Sequence, residues 1–389
     1  MLAGTTWAAE TAFEQTLISV QQNVNVGDWE INHSDLDLDT PHKWYVEKYT
    51  LHGGMQEGVE IIEVFNGKMT MKVIPTRGMN ILNIQHGDIF LGWNSPVKQV
   101  VHPKFSNLED NDGKGWLYTF NEWMMRAGIE FAGHPGSDDG RLLSLHGRIA
   151  NTPASEVKVV ISKEKPHRIH IIGEVEEVHF KFANFLLESD VSLELGSDSF
   201  RIDDHITNRA TDEKEFMIIY HVNYGKPILE AGAQLHGTIE KIMPFDDAAA
   251  QAIDTWNVYG PPAEELAGEV VYCIYPRADE SGLAHFMMQN AAGDTGIYFR
   301  YPVSQLPYFS QWKNPDSVAN GYVTGLEPAT GFVHNRAWER KQGRVPTLKG
   351  GQQRRFQLDY TILTNTAAVA DKKQTIDTLN QGKSLEIIR

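Results

Sequence analysis

The run GVEIIEVFNGKMTMKVIP, residues 58–75, holds two β-rich segments that meet at Asn66-Gly67. An Asn-Gly pair between two such segments is the strongest short-range signal of a β-hairpin, because both residues tolerate the positive φ that a tight turn demands. Working outward, SFRIDDHITNRA, residues 199–210, alternates with period two. Phe200, Ile202, Asp204 and Ile206 fall on one face, and Arg201, Asp203, His205 and Thr207 on the other. FMIIYHVNYG and RRFQLDYTIL continue the β-branched and aromatic theme. Helical periodicity is scarce: the expected helices are short, one over residues 116–126 and one over residues 262–266. Pro and Gly punctuate the chain without a linker-like cluster, and no internal repeat is visible. The expectation is an all-β protein, a large and mostly antiparallel β-sandwich with few short helices, forming one domain over residues 1–389 with its site on one sheet face.

Composition sets the context. The 389 residues are 41% hydrophobic and 22% charged, so a large core can be buried without staples. A lone Cys273 excludes an internal disulfide framework and a cysteine-rich metal site, which fits a reducing compartment. The opening MLAGTTWAAETAF lacks a basic segment followed by a long apolar one, and no stretch is apolar enough to span a bilayer. The expected location is the cytoplasm, with no membrane association. A formal charge of −16 without clustered Lys and Arg disfavours nucleic acid. A neutral or cationic ligand is easier to accommodate, although one local basic pocket can hold an anion against the global sign.

Several ionisable residues interrupt apolar runs. His146 lies in LSLHGRIAN, residues 143–151, whose apolar positions suggest an extended segment; His221 follows the apolar run 217–220; Glu327 lies in GLEPATG; Arg77 lies in IPTRGMN. Burying such groups is costly unless they are paired, and sites are where that cost is tolerated. Any one of these histidines alone reads more readily as a satisfied core or surface residue. Trp93, Trp116, Trp123 and Trp312 could stack on the apolar face of a ligand or simply pack, and Trp312, in a segment that reads as a loop, is the best stacking candidate. The GHPGSDDG loop brings His134, Asp138 and Asp139 together, which suggests a metal site or a carboxylate pair; its Gly and Pro favour a plain turn. HRIH, residues 167–170, has the wrong spacing for two ligands on one strand face and reads as surface.

Taken in order, TRGMN, GWNSP, LHGRIAN, YHVNYG and GLEPATG resemble the aldose 1-epimerases, the galactose mutarotase-like proteins, over roughly residues 58–363. The resemblance implies a β-supersandwich fold and interconversion of the α and β anomers of a free sugar. It implies Glu327 as the general base at the anomeric hydroxyl and His221 as the general acid at the ring oxygen. His146 and Arg77 would hold the ring oxygen and neighbouring hydroxyls; Asn223, in YHVNYG, and Trp312, the stacking candidate, complete the expected substrate contacts. Gly147 would let the backbone at His146 turn or approach closely, and Arg148 reads as structural. Opening a hemiacetal moves one proton off O1 and one onto the ring oxygen, which calls for a base and an acid on different sides of the sugar and for neither metal nor other cofactor. The implied partner is a small carbohydrate, and the sequence is compatible with a homo-oligomer.

Two features depart from the family pattern: Gly147 is followed by Arg148 instead of a second glycine, and His221 lies in YHVNYG. The family's sugar-binding aspartate has no clear counterpart among Asp246, Asp247 and Asp254. Two other functional classes remain open at the level of sequence. One is a carbohydrate-binding or regulatory protein that keeps the pocket without catalysis. The other, less favoured, is a polysaccharide lyase or hydrolase, for which no accessory helical domain is visible.

Overall fold

In the computed structural model, which describes residues 10–264 and 267–389, the strands expected from the sequence assemble into two large sheets. The hairpin forms as read: Glu60–Phe65 and Met69–Ile74 pair antiparallel with Phe65 opposite Thr70. The buried Asn66 has a second task. Its Oδ1 accepts from the backbone of Lys68 and Met69, each at 2.9 Å, while Nδ2 donates to the carbonyls of Glu194 at 2.8 Å and Ser197 at 2.9 Å. The turn residue therefore ties its sheet to the turn that precedes Ser199–Asn208 in the other.

Among the described residues one sheet has thirteen strands and the other ten. The centre of the larger runs, side by side, through Val270–Pro276, Tyr308–Asn314, Val323–Ala329, Met217–Tyr224, Met124–Ile129 and Asn80–His86. The smaller includes Gly296–Pro302, Gln353–Leu363, Ser199–Asn208, Ala183–Glu194 and Arg168–His179 as neighbours. Among the described residues the named strands pair antiparallel except for one short parallel contact of Glu386–Ile387 with Ile239–Pro244, and an isolated parallel bridge joins Gly128 to Gly147. The two inner faces share one core, to which the larger sheet brings Met71, Val222, Phe309 and Leu326, and the smaller Val191, Ile202, Phe299 and Leu358. This is the large, mostly antiparallel all-β sandwich that the sequence suggested.

The alternation in SFRIDDHITNRA holds. Phe200, Ile202 and Ile206 enter the core, whereas on the outer face Arg201 pairs with Asp359 and Asp203 with Arg355. Asp204, the charged member of the inner set, is fully buried and paired: Arg126 donates to it through Nε at 2.6 Å and Nη2 at 3.0 Å, and the Tyr220 hydroxyl through a 2.8 Å bond. The same guanidinium reaches Ser189 Oγ at 2.7 Å and the Met79 carbonyl at 2.6 Å. Arg126 and Tyr220 belong to the larger sheet, Asp204 and Ser189 to the smaller, so one buried polar clamp joins the two layers.

Three expectations fail locally. Residues 116–126 do not form one helix: Gly115–Thr119 is a single 3₁₀ turn, and Met124–Ile129 is a central strand buried on both faces, where no strand alternation survives to be read. LSLHGRIAN is not extended; its strand ends at Leu143, a turn carries His146, and Ile149–Asn151 is a 3₁₀ turn. Residues 262–264 are irregular, and the rest of the second expected helix, like the first nine residues of the chain, lies outside the described residues. Conversely, the helix Thr366–Asn380 went unread, because it buries only Val369 and Ile376, two turns apart, against Met287, Tyr298 and Leu363. No helix among the described residues is long and apolar enough to cross a membrane.

Removing the anion of the clamp tests its importance. Asp204→Ala strands the Arg126 charge in the core and is expected to cost about 3–5 kcal/mol in a denaturant-unfolding measurement, whereas Asp204→Leu combined with Arg126→Met should recover much of that loss. Equal loss in both variants would show that the clamp matters through packing alone.

Candidate active site

The strand register assembles the site. His221 stands opposite Met125 on one side, and the pairing of Met217–Tyr224 with Val323–Ala329, in which Val222 faces Leu326 and Asn223 faces Gly325, brings Glu327 beside it on the other. Glu327 in turn faces Ser310, and Trp312 faces Gly325 and Val271. Because side chains alternate, His221, Glu327, Ser310 and Trp312 point to the outer face of the larger sheet, while Tyr220, Val222 and Leu326 point into the core. His221 Nε2 lies 3.4 Å from Glu327 Oε1. Gly325 leaves the space this requires: a Cβ there would sit 2.6 Å from Glu327 Oε1 and 3.2 Å from His221 Cε1.

His146 comes from the turn after Leu143 and adopts φ +59°. The turn is stitched to the neighbouring strand: Gly128 N–H donates to the His146 carbonyl at 3.0 Å, and Arg148 N–H to the Gly128 carbonyl at 2.9 Å. A Cβ on Gly147 would fall 2.3 Å from the carbonyl oxygens of both Gly128 and Phe131, so the close approach expected of Gly147 is real. The His146 ring meets that of His221 edge-on at 5.2 Å and that of Trp116 at 4.8 Å.

These groups floor a cleft of 440 Å³. Trp116, Phe120, Leu145, Val271, Trp312 and Val333 form largely apolar walls, and Lys114, His134 and Glu269 stand exposed at the rim. Burial governs the charges. It pushes the Glu327 carboxyl up to about 8, helped by the negative charge of Glu269, and pulls the His221 imidazole down to about 4. His146 is held well below its ordinary value by burial and by its histidine neighbours. At neutral pH the pair therefore carries one proton and no net charge. Glu327 Oε2, His221 Nδ1, His146 Nδ1, Trp116 Nε1 and Ser310 Oγ are buried without a hydrogen-bond partner. Such a concentration of unspent donors and acceptors is what a polar ligand would satisfy.

The structure thus brings together His146, His221, Glu327 and Trp312. Trp312 is half-buried on the strand Tyr308–Asn314, not on a loop, and its indole Nε1 donates to Glu269 at 2.7 Å. Asn223 lies behind His221, its Nδ2 donating to the Glu122 carbonyl at 3.0 Å. Arg77 does not reach the cleft. Fully buried, it pairs with Glu122 at 2.8 Å and donates to the Thr119 carbonyl at 2.8 Å, pinning the segment that carries Trp116 and Phe120. Its expected role as a direct sugar contact is therefore corrected to one of support.

The Asp138 carboxylate is taken by Arg336 at 2.6 Å and Arg340 at 2.8 Å, and the loop is a tight hairpin between Gly136–Asp138 and Arg141–Leu143. Arg148 pairs with Glu130 at 3.1 Å, as a structural residue would. HRIH is not plain surface, since His167 is buried and His170 pairs with Asp190 at 2.8 Å. Asp246 caps the helix Asp247–Gln251, and Asp254 pairs with Arg389. Ser310, Phe120, Lys114 and Glu269 went unread; once Tyr308–Asn314 is a strand, the period of two puts Ser310 on the same face as Trp312.

Sheet architecture and outer-face cleft together define a galactose mutarotase-like sandwich protein. The chain belongs to the family described as a domain of unknown function, DUF4432, whose model matches residues 56–362. It is similar to the crystal structure of a candidate aldose 1-epimerase from Klebsiella pneumoniae, with 40% identity, a TM-score of 0.94 and coverage of 97% of this chain and 98% of that one. A galactose mutarotase-like protein from Clostridium acetobutylicum, at 13% identity with a TM-score of 0.51, covers 87% of this chain and 99% of its own and shares the fold. So does a protein from Synechocystis sp. PCC 6803, at 13% identity with a TM-score of 0.53, over 82% of this chain and 98% of its own. No curated protein matches the chain.

The corrected role of Arg77 has a measurable signature. Arg77→Ala leaves Glu122 buried and unpaired, so it should lower unfolding stability by about 3–5 kcal/mol. Native stability together with a selective loss of ligand affinity would return Arg77 to the ligand.

Proposed function

We propose that the protein is an aldose 1-epimerase that interconverts the α and β anomers of a free sugar through its open-chain form. The observation that carries this reading is the placement of Glu327 and His221 side by side, 3.4 Å apart, on the floor of a cleft whose buried polar atoms lack partners. The two oxygens that exchange protons with the protein, O1 and the ring oxygen, are both bonded to C1. Two neighbouring groups on one surface can therefore serve both, and they need not flank the sugar as expected from the chemistry alone. The name of the Klebsiella relative supports the same reading.

In the opening direction Glu327, as carboxylate, takes the proton from O1 while His221, as imidazolium, protonates the ring oxygen, and the C1–O5 bond breaks. This leaves a protonated carboxyl, a neutral imidazole and a free aldehyde. Rotation about C1–C2 presents the other carbonyl face, and the same pair then works in reverse: Glu327 gives its proton to O1 as His221 removes that of the O5 hydroxyl. His146 and Trp116 offer further polar contacts, and Trp312 an apolar face for the ring. Burial favours the neutral arrangement of the pair, which is the one that closes the ring; opening begins once the proton has moved from Glu327 to His221.

Anomer exchange followed by magnetisation-transfer NMR over a panel of free aldoses should accelerate for at least one sugar. Exchange at the buffer rate throughout would favour the binding-only alternative. With a sugar that is turned over, Glu327→Gln should lose about 100-fold or more in kcat with affinity altered far less.

The pH profile follows from the requirement for one shared proton. Below about 4 both His221 and Glu327 are protonated and no base remains; above about 8 neither holds a proton and no acid remains. Corrected for the buffer reaction, kcat/KM should be flat between these limits and fall on both sides. A single limb near the ordinary value for histidine would contradict the buried pair.

A further inference from the structure

We propose that the outer face of the smaller sheet carries a second binding site, one for an oxyanion such as the phosphate or sulfate group of a small metabolite. The site is independent of the cleft and of the reading proposed for it. In a chain of charge −16, a 310 Å³ cavity on this face is lined by Arg168, Arg201, Arg300 and Lys372, with Asp359 as its one carboxylate. The register builds it. Asp359 stands between Arg300 and Arg201 in one cross-strand row, and Thr361 stands between Tyr298 and Ser199 in the next. Lys372 arrives from the helix Thr366–Asn380, which lies over the Tyr298 ring, its Nζ 5.5 Å from the centroid.

The cations outnumber what neutralises them. Arg201 Nε binds Asp359 at 2.6 Å, and Arg300 approaches the same carboxylate only to 3.6 Å. Arg168 pairs with Glu194 at 3.2 Å and Lys372 with Asp371 at 3.0 Å. Four cations thus meet three carboxylates. Among the described residues the terminal nitrogens of Arg201 and Arg300 donate to no protein acceptor, which leaves planar forks of the geometry that oxyanions accept. Burial, and next to it the pairing and the like charges around it, set the state of Arg168: its guanidinium is held below the ordinary value by burial, with positive Arg201 adding to the effect. An anion among these groups relieves that repulsion. The Ser199 and Thr361 hydroxyls bond to each other at 2.8 Å, which leaves one of the two protons as a neutral donor on the cavity floor.

Isothermal titration of the full chain with inorganic phosphate, at an ionic strength held constant with chloride, should show saturable one-to-one binding that sulfate competes away. Arg201→Gln combined with Arg300→Gln should weaken it by about tenfold or more, while Glu327→Gln binds as the native chain does. Arg201→Lys, which keeps the charge and loses the fork, should fall between. A parallel titration with glucose 6-phosphate separates the sources: tighter binding than phosphate points to a phosphorylated metabolite, and equal binding to the free anion. If the double variant does not fold, Lys372→Gln is read in the same way. Absence of saturable binding beyond the chloride control, or variants that bind as the native protein does, would overturn the proposal.

Discussion

The two sheets of this protein are held in register by a charge that the core cannot leave unpaired. Arg126 is fully buried, and its guanidinium is taken by Asp204 and Ser189 of the smaller sheet and by the carbonyl of Met79, in the turn just before the strand Asn80–His86 of its own sheet. Tyr220 completes the clamp on Asp204. Desolvating such groups costs several kcal/mol each, so the arrangement persists only where geometry returns that cost. Sliding either sheet would break it. Strand alternation carries the constraint to the outer surface: Arg126 follows Met125, and Tyr220 precedes His221, in two strands where Met125 and His221 face each other. Fixing the inner residues fixes the outer ones.

A second buried pair, Arg77 with Glu122, supports the cleft from below in a comparable way. Arg77 holds the Thr119 carbonyl, at the end of the turn that carries Trp116, and the Glu122 carbonyl receives Asn223, which lies behind His221. Neither ion pair enters the cleft. On the cleft floor burial moves the carboxyl and the imidazole away from their ordinary values, in opposite directions and for the same reason. At neutral pH the pair carries one titratable proton and no net charge.

The smaller sheet uses its outer face differently. There the alternation of Ser199–Asn208 and its neighbours displays charge, and the long side chains of Arg168, Arg201 and Arg300 gather around a single carboxylate at the cavity. The two outer faces of the sandwich thus have opposite chemical characters, apolar walls around a buried carboxyl and imidazole on one and a cationic basin on the other, separated by one common core.

How much of this was legible depended on the range of the interaction. The Asn66-Gly67 turn and the alternation from Phe200 to Thr207 were read directly, because turn geometry and side-chain period are set by neighbours in the chain. They, with the scarce helical periodicity, determined the fold class. The motifs around His146, His221 and Glu327 marked out cleft residues by resemblance, and Trp312 was picked out by the stacking chemistry of its ring. The rest was decided by pairing across long stretches of chain. Arg77 reads as a ligand contact in IPTRGMN and is instead consumed by Glu122, 45 positions on. Residues 116–126 read as a helix, yet end in a strand buried on both faces, where burial erases the strand period. The adjacency of His221 and Glu327, the space left for them by Gly325, and the partnerless Ser310 beside them exist only through strand register, which no local pattern encodes. Sequence by itself determined the residue types and the sandwich; tertiary structure decided which of those residues share a face, because a pairing register is chosen by the burial of the whole sheet and not by any one strand.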